Sequence, residues 1–335
     1  MHMPTRGLAA FVGVLALAVT PAAQRAGRTE KLSGYAEWKR GDIVIVDGQR
    51  VRASRATKFK GRHATSIEAI PYGYEVSVKG VRLGDGVVQA TEIEAKPNGM
   101  ALFEKDVLEA TNEVEAIWLR EGVMFEPKDD GGREIIGRTR SEGADVDRVR
   151  RIVDRLVPPY VDRSAVRVHV VETDDWNAAA MGNGAVWVYT GLLDDLSDDE
   201  LAIVLGHELA HYTHEHSRRG AKQALWGQLL ALGTMAAAEA IDNDTARVTT
   251  QVAALLSATA LLSGYSRDHE DQADRVGLRY AYEAGYDVTA GPGLWARFRE
   301  KYGEHDVVTT FFVGSHSRPS DRIRNIEREL ALNYR

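Results

Sequence analysis

The chain of 335 residues contains no cysteine. This absence excludes a thiol nucleophile, a cysteine-rich zinc module and a disulfide framework, so packing alone must stabilise the fold. An excess of positive charge is also lacking, since 42 Lys and Arg stand against 49 Asp and Glu and give a formal net charge of −7. We therefore do not expect a wide electrostatic footprint for nucleic acid.

Long uninterrupted hydrophobic runs are absent as well. The apolar run at residues 7–19 follows a basic start, ends in small residues and is too short for a membrane span. We predict that residues 1–23 are a signal peptide and that the protein is periplasmic or secreted; an uncleaved anchor is the alternative. Gln228 and Glu239 interrupt the Ala- and Leu-rich stretch at 220–262, which predicts a helical hairpin rather than a span. Its apolar surface could associate with a membrane or with an envelope partner.

The part of the chain after the signal peptide has the pattern of short β-strands. Apolar and alternating runs at 43–46, 74–81 and 87–93 are separated by turns such as Asp47-Gly48. This pattern suggests a small β-barrel over residues 24–98, similar to small OB-like domains. We expect it to contact proteins or to present a substrate.

A break at Pro97-Asn98-Gly99 precedes a second type of sequence. Residues 99–144 are predicted to hold a linker helix, at 103–120, and a polar loop. An amphipathic helix from residue 145 then begins a mainly helical domain that we place over residues 145–335.

The candidate catalytic residues of this second domain begin in residues 201–216, which contain His207-Glu208-Leu209-Ala210-His211. On a helix, the two histidines are one turn apart and project from the same face, so both can reach one Zn²⁺. Glu208 lies on a neighbouring part of the helix surface, where it can hold a metal-bound water as general base. Ser197 and Glu200 form a predicted capping box that begins this helix.

A catalytic zinc usually has three protein ligands. The Gly-x-x-His sequel that would supply a third histidine is absent, because His214 and Ser217 occupy those positions. A glutamate on a second helix is the other solution. Glu270 and Asp274 are four residues apart and therefore on one helical face, so Glu270 can bind the metal while Asp274 orients a ligating histidine.

The segment Ser266-Arg267-x-x-Glu270-x-x-Ala273-Asp274, after a His-Glu-x-x-His helix, resembles the M48 peptidases. Stretches at 166–193, 201–206 and 315–323 agree with that family. The resemblance implies an α+β fold, with a mainly helical zincin-type domain and a small sheet, and one Zn²⁺ per chain on His207, His211 and Glu270. His216 matches a histidine of the family, whereas His214 and Glu215 are expected to be solvated.

The resemblance also implies where a peptide would bind. The family's strand pair corresponds to residues 166–193, and we expect the substrate to add as a strand along 185–189. The candidate substrate-binding residues are Asn177, Gly184, Ala185, Val186, Trp187 and Val188. The late segment supplies His316 and Arg322 as catalytic candidates that would stabilise an oxyanion. Ser317 and Arg318 separate His316 from Pro319, which departs from the family's His-Pro sequence.

These observations favour a zinc endopeptidase that acts on unfolded or extended polypeptides in protein quality control. A chaperone-like protein with latent or slow proteolysis is the alternative, in which His316 would fill the open position of the zinc. A nucleic-acid or glycan binder led by the barrel is a third hypothesis.

Overall fold

The computed structural model describes most of the chain, namely residues 29–62, 64–96, 102–127, 132–220, 266–304 and 318–334. These residues form an α+β fold with two sheets, which confirms the α+β part of the predicted fold class. The predicted signal peptide, nearly all of the predicted hairpin at 220–262 and His316 lie outside the described residues. Among the helices that are described, none combines the length and the apolar character that a membrane crossing requires.

The N-terminal sheet has six strands in the order β3-β2-β1-β5-β6-β4. Asp47 and Gly48 both have positive φ, as a two-residue hairpin turn requires, and they join β2 to β3 as predicted. Strand β3 also pairs in parallel with β6 through Val51 and Val88. Alternate side chains of β5 enter a core of valine, isoleucine and alanine. The strands are β1 (Thr29–Arg40), β2 (Ile43–Val46), β3 (Gln49–Arg52), β4 (Lys58–Lys60), β5 (Glu75–Arg82) and β6 (Val88–Lys96).

The second sheet has five strands in the order β10-β11-β9-β8-β7. Its members are β7 (Val123–Pro127), β8 (Arg133–Arg140), β9 (Arg167–Glu172), β10 (Ala178–Ala180) and β11 (Ala185–Tyr189).

Strand β11 is an interior strand of this sheet. It pairs with β9 in parallel and with β10 antiparallel, and all five of its residues are buried. The expectation that residues 185–189 form the open edge is therefore wrong, because β10 lies between β11 and that edge. A continuous apolar run such as Ala-Val-Trp-Val-Tyr is typical of a strand covered on both faces. The three alanines of β10 carry too little pattern to be recognised from the sequence.

The helices carry most of the core, and the first four of them pack against the second sheet. They are α1 (Leu102–Glu121), α2 (Ala144–Leu156), α3 (Thr190–Asp195), α4 (Asp198–Thr213), α5 (Arg267–Glu283), α6 (Gly291–Tyr302) and α7 (Pro319–Asn333). The predicted capping box is present at the start of α4, where Ser197 accepts from the Glu200 amide and Glu200 accepts in return. This cap fixes the register from which the two motif histidines project.

Helices α4 and α5 cross with their backbones in contact. A Cβ atom added to Gly206 of α4 would lie 2.5 Å from the carbonyl oxygen of Gly277 of α5, and one added to Gly277 would clash with the amide nitrogen of His207. Only glycine allows this approach. The crossing therefore brings the α5 carboxylates within reach of the α4 histidines.

The N-terminal sheet packs against the end of α4 and against α5. Glu37 of β1 is completely buried at this contact, where Arg275 of α5 donates two hydrogen bonds to its carboxylate, at 2.7 and 3.1 Å. Nearby, the Arg279 guanidinium lies 4.7 Å from the ring centroid of Trp38. This charge pair joins the two parts of the molecule, and removing Arg275 would leave the Glu37 carboxylate buried without compensation.

Candidate metal centre

Three buried side chains converge between α4 and α5. His207 and His211 project from one face of α4, and their Nε2 atoms are 3.0 Å apart. The Glu270 carboxylate of α5 places one oxygen 3.4 Å from Nε2 of His207 and the other 3.3 Å from Nε2 of His211. Within the part of the chain that the structure describes, these residues form a cluster suited to a metal ion.

The geometry of this cluster can be tested against zinc. A tetrahedral zinc with bonds of about 2.0–2.1 Å separates its ligand atoms by roughly 3.3–3.4 Å. The three observed separations, 3.0, 3.3 and 3.4 Å, are close to that edge length. Two imidazoles and one carboxylate are also a donor set that catalytic zinc sites use, with a fourth position left for water. The residues present therefore fit the ion.

Glu208 is the neighbour of the first histidine and is directed to the edge of the second sheet. Its Oε2 accepts a hydrogen bond from the Ala180 amide of β10 at 3.2 Å, and its side chain is almost completely buried. A carboxylate fixed beside a potential metal position can accept a proton from a water bound there. The same contact places the β10 edge next to the cluster.

The first histidine has a direct carboxylate partner, as the spacing of Glu270 and Asp274 suggested. Asp274 Oδ1 lies 2.9 Å from His207 Nδ1. Although burial raises the pKa of the Asp274 carboxyl, the Arg322 guanidinium and His207 outweigh it and hold that pKa below its ordinary value. Burial and Arg322 lower the pKa of His207, but Asp274 and Glu270 outweigh both and raise it to about 9. A proton and a metal ion therefore compete for this ring.

Arg322 lies on the far side of this arrangement from the cluster. Its Nε is 3.1 Å from both Asp274 oxygens, and its guanidinium is 2.7 Å from Nδ1 of His207. The charge is 1% exposed and lies 3.4 Å from the ring centroid of Trp295. It contacts Nδ1, whereas the metal-facing atom is Nε2, so Arg322 does not occupy the position expected of an oxyanion donor. The sequence could not show which of the two ring nitrogens of His207 Arg322 would contact.

The second histidine has a different partner, which the sequence analysis did not identify. His211 Nδ1 lies 2.8 Å from Nδ1 of His216, and Nε2 of His216 lies 3.0 Å from Oε1 of Gln272. Burial lowers the pKa of His216 well below its ordinary value, and the neighbouring titratable groups, His211 first among them, act in the same direction. His216 is therefore a neutral hydrogen-bonding group between a candidate ligand and α5.

His214 is also buried, which contradicts the expectation that it is solvated. Its side chain has no exposed surface, and its Nε2 lies 3.3 Å from the Ala36 carbonyl of β1. Burial lowers the pKa of His214 to about 4, so the ring is neutral and can donate from Nε2 to this carbonyl. The histidines that follow the motif therefore face the N-terminal sheet, and no local spacing signals that contact.

The sequence-predicted substrate residues divide into two groups. Asn177 adjoins β10, where its carbonyl accepts from the Tyr189 amide at 2.9 Å, and it lies beside the edge. Gly184 is in the turn between β10 and β11 with φ of 87°. Residues 185–188 belong to the interior strand, and Trp187 packs against Trp118 and His169 at 5.2 and 4.4 Å between ring centroids. The structure thus brings Asn177, but not residues 185–188, to the open edge.

Comparisons with known proteins agree with this geometry. Residues 33–94 match a domain of unknown function, DUF5666, and residues 144–330 match peptidase family M48. The bovine mitochondrial metalloendopeptidase OMA1 is 32% identical over 166 residues, which are 48% of this chain and 32% of OMA1. The metalloprotease YcaL of Escherichia coli is 27% identical over 202 residues, 60% of this chain and 75% of YcaL.

A third relative is the putative beta-barrel assembly-enhancing protease of Vibrio cholerae. It is 32% identical over 161 residues, which are 47% of this chain and 33% of the relative. The chain thus spans about a third of the length of this relative and of bovine OMA1. The M48 match covers more than half of the chain and contains the whole His207, His211 and Glu270 cluster. The chain belongs to peptidase family M48.

Proposed function

We propose that the protein is a zinc-dependent endopeptidase that hydrolyses peptide bonds of exported or envelope proteins. The observation that carries this proposal is the convergence of His207, His211 and Glu270 beside Glu208 at the open edge of a sheet. The relatives named metalloendopeptidase, metalloprotease and assembly-enhancing protease support it.

His207, His211 and Glu270 would hold one zinc ion per chain. When bound, zinc polarises the scissile carbonyl and lowers the pKa of a coordinated water towards about 7. Glu208 takes the proton from the attacking water and returns it to the leaving amine. The hydrogen bond from the Ala180 amide keeps the Glu208 carboxylate at the position where it can do both. Asp274 holds Nδ1 of His207 and thereby leaves Nε2 for the metal.

The substrate would bind along β10 rather than along β11. Asn177 and Met181 direct their backbone groups to β11, as the bonds Tyr189 N to Asn177 O and Met181 N to Ala185 O demonstrate. Backbone groups alternate along a strand, so those of Ala178 and Ala180 face the opposite, open side. Because the Ala180 amide already donates to Glu208, an extended peptide would pair with the backbone groups of Ala178 and with the Ala180 carbonyl. Such main-chain hydrogen bonds recognise backbone more than side chains.

The oxyanion donor is proposed to come from His316, while Arg322 is reassigned. Because the Arg322 guanidinium contacts Asp274 and Nδ1 of His207, we propose that it positions this pair and does not contact the substrate.

The remaining assignments concern the ends of the chain and its domains. We propose a signal peptide at residues 1–23, a small OB-like barrel at 24–98 and the peptidase domain from 145 onward, joined by 99–144. The parallel contact between β3 and β6 supports the barrel, because it links the two ends of a five-strand path. A periplasmic or secreted location is proposed from the signal-like sequence and from the assembly-enhancing name of the Vibrio relative.

The decisive experiment replaces the general base. We expect Glu208→Gln to keep zinc and the fold but to lose cleavage of unfolded casein, by at least 100-fold, since general base catalysis contributes about 10²–10⁴-fold. Glu113→Gln is the matched control, because Glu113 is an exposed glutamate of α1. Undiminished cleavage by Glu208→Gln contradicts the assignment. Binding of casein without hydrolysis by the unaltered protein would support the chaperone-like alternative.

A further inference from the structure

A continuous series of hydrogen bonds joins the second candidate ligand to the N-terminal sheet. His211 Nδ1 contacts His216 Nδ1 at 2.8 Å, and His216 Nε2 contacts Gln272 Oε1 at 3.0 Å. Gln272 Nε2 then donates to Glu37 Oε1 at 3.1 Å and to Asp47 Oδ1 at 2.8 Å. We call His216, Gln272, Glu37 and Asp47 the relay. It begins at β1 and at the turn after β2, and it ends at His216, just beyond the last residue of α4.

The relay has one consistent direction of donation. A carboxylate can only accept, so Glu37 and Asp47 fix the NH₂ end of Gln272 towards the N-terminal sheet. Its oxygen must then face His216, whose Nε2 carries the proton and donates to it. A neutral imidazole has one donor and one acceptor, so Nδ1 of His216 accepts from Nδ1–H of His211. Nε2 of His211 is thereby left without a proton, which is the form that binds a metal.

The surroundings hold this direction in place. Arg219 donates to Gln272 Oε1 at 2.7 Å, which is compatible only with an oxygen at that position. Arg275 donates twice to Glu37, and the Gly48 amide donates to it at 3.0 Å, so this carboxylate is held in one orientation. Glu37 and His216 have no exposed surface, and Gln272 is 2% exposed. Water therefore does not compete for the bonds that join His216, Gln272 and Glu37, whereas Asp47 is exposed.

We infer that the N-terminal sheet is a working part of the metal centre, because its carboxylates set the tautomer and orientation of His211 through Gln272 and His216. This inference rests on the proposed zinc binding. It gives the N-terminal domain a role in the metal affinity of the peptidase domain. The residues of the relay are positioning residues, since none of them contacts the metal position itself.

The first test interrupts the relay while leaving the contact between the domains. Gln272→Met removes both ends of the amide but keeps the Glu37–Arg275 pair. We expect zinc affinity, measured by competition with a chelator, to fall roughly 10-fold, the lower end of the 10–100-fold range for such outer partners. The control is Tyr72→Ala, which removes the ring contact between Tyr72 and Tyr160 across the same interface, at 5.1 Å.

The outcomes separate the relay from general packing and from the proposed function. We expect Tyr72→Ala to change zinc affinity less than 2-fold. Equal affinity for Gln272→Met and the unaltered protein overturns the inference, as does an equal loss in Tyr72→Ala. If the unaltered protein fails to bind zinc, the proposed function itself fails, whereas tight binding unaffected by Gln272→Met removes only the relay.

A second measurement does not depend on the folding of any variant. Nitrogen-15 NMR of histidine side chains in the zinc-loaded protein reports which ring nitrogen carries the proton. We expect His216 to be protonated at Nε2 only. A proton on Nδ1 of His216 would contradict the direction of the relay.

In Glu37→Gln, we expect a smaller loss of zinc affinity than in Gln272→Met, about 3-fold, since Asp47 still accepts from Gln272.

Discussion

His207 and His211 of α4 are one turn apart, but different residues orient their rings. His207 contacts a carboxylate directly, and this carboxylate, Asp274, belongs to the same domain. Nδ1 of His211 is linked to a carboxylate through His216 and Gln272, and that carboxylate, Glu37, belongs to the N-terminal sheet. The first support is contained in the M48 segment, whereas the second crosses into the DUF5666 segment. One half of the site is thus built locally and the other half depends on domain docking.

The largest effect should come from breaking the docking that the His211 side requires. Arg275→Met leaves the fully buried Glu37 carboxylate without its cation, and removing one partner of a buried pair costs about 3–5 kcal/mol. We expect a loss of about 3 kcal/mol in the free energy of unfolding of the metal-free protein, measured with urea. Arg328→Met, at an exposed position of α7, should remain within about 0.5 kcal/mol. Equal urea midpoints for the two variants would contradict this account of the interface.

The next effect sharpens the comparison of direct and relayed support. Asp274→Asn should lower zinc affinity roughly 100-fold, the upper end of the range for outer partners, because it replaces a charged acceptor in direct contact with His207. Gln272→Met should lower zinc affinity only about 10-fold, since His211 keeps its neutral neighbour His216. Chelator competition on both variants measures the ratio. If Gln272→Met lost more affinity than Asp274→Asn, the relay would be the dominant support.

The smallest effect comes from a charged group that belongs to neither support. Glu115 of α1 accepts from Arg167 and contacts His169; burial alone would raise its pKa, but these partners lower it from 4.5 to about 2. The charged form therefore stabilises the fold above pH 4.5, and this contribution disappears as the pH falls towards 2. We expect Glu115→Gln to lose about 1–2 kcal/mol at pH 7, because solvent partly screens Arg167, which is 38% exposed.

Urea unfolding from pH 7 to pH 3 measures this difference. It should shrink as the pH falls below 4.5, while zinc affinity at pH 7 should equal that of the unaltered protein. A difference that is independent of pH would mean that the Glu115 charge is not responsible.

The cluster of His207, His211 and Glu270 could be predicted from the sequence because each of its parts belongs to a local pattern. The i, i+4 spacing of the two histidines and of Glu270 and Asp274 determines which faces of two helices carry them, and the capping box marks where α4 begins. The pairing of these helices then followed from the need for a third ligand. The predicted helix at 103–120 and the predicted helix that begins at residue 145 also correspond closely to α1 and α2.

The remaining features depend on contacts between distant residues. Glu37 and Arg275 are 238 residues apart, and nothing near Glu37 indicates that a strand glutamate is buried. The order of strands decides that β10 rather than β11 forms the edge, and strand order is not written in the pattern of either strand. The roles of His216 and Arg322 likewise follow from what packs against them. Local spacing predicts donors, but only the assembled fold determines what orients them.

The glycine contact between α4 and α5 determines which substitutions the protein can tolerate around the cluster. Gly206 and Gly277 set the spacing between the two helices, because the two backbones are in direct contact there and no side chain lies between them. Exchanges among aliphatic residues elsewhere in the surrounding interior can thus accumulate while the donor atoms keep their separations, whereas a single added methyl group at either glycine shifts all of them together.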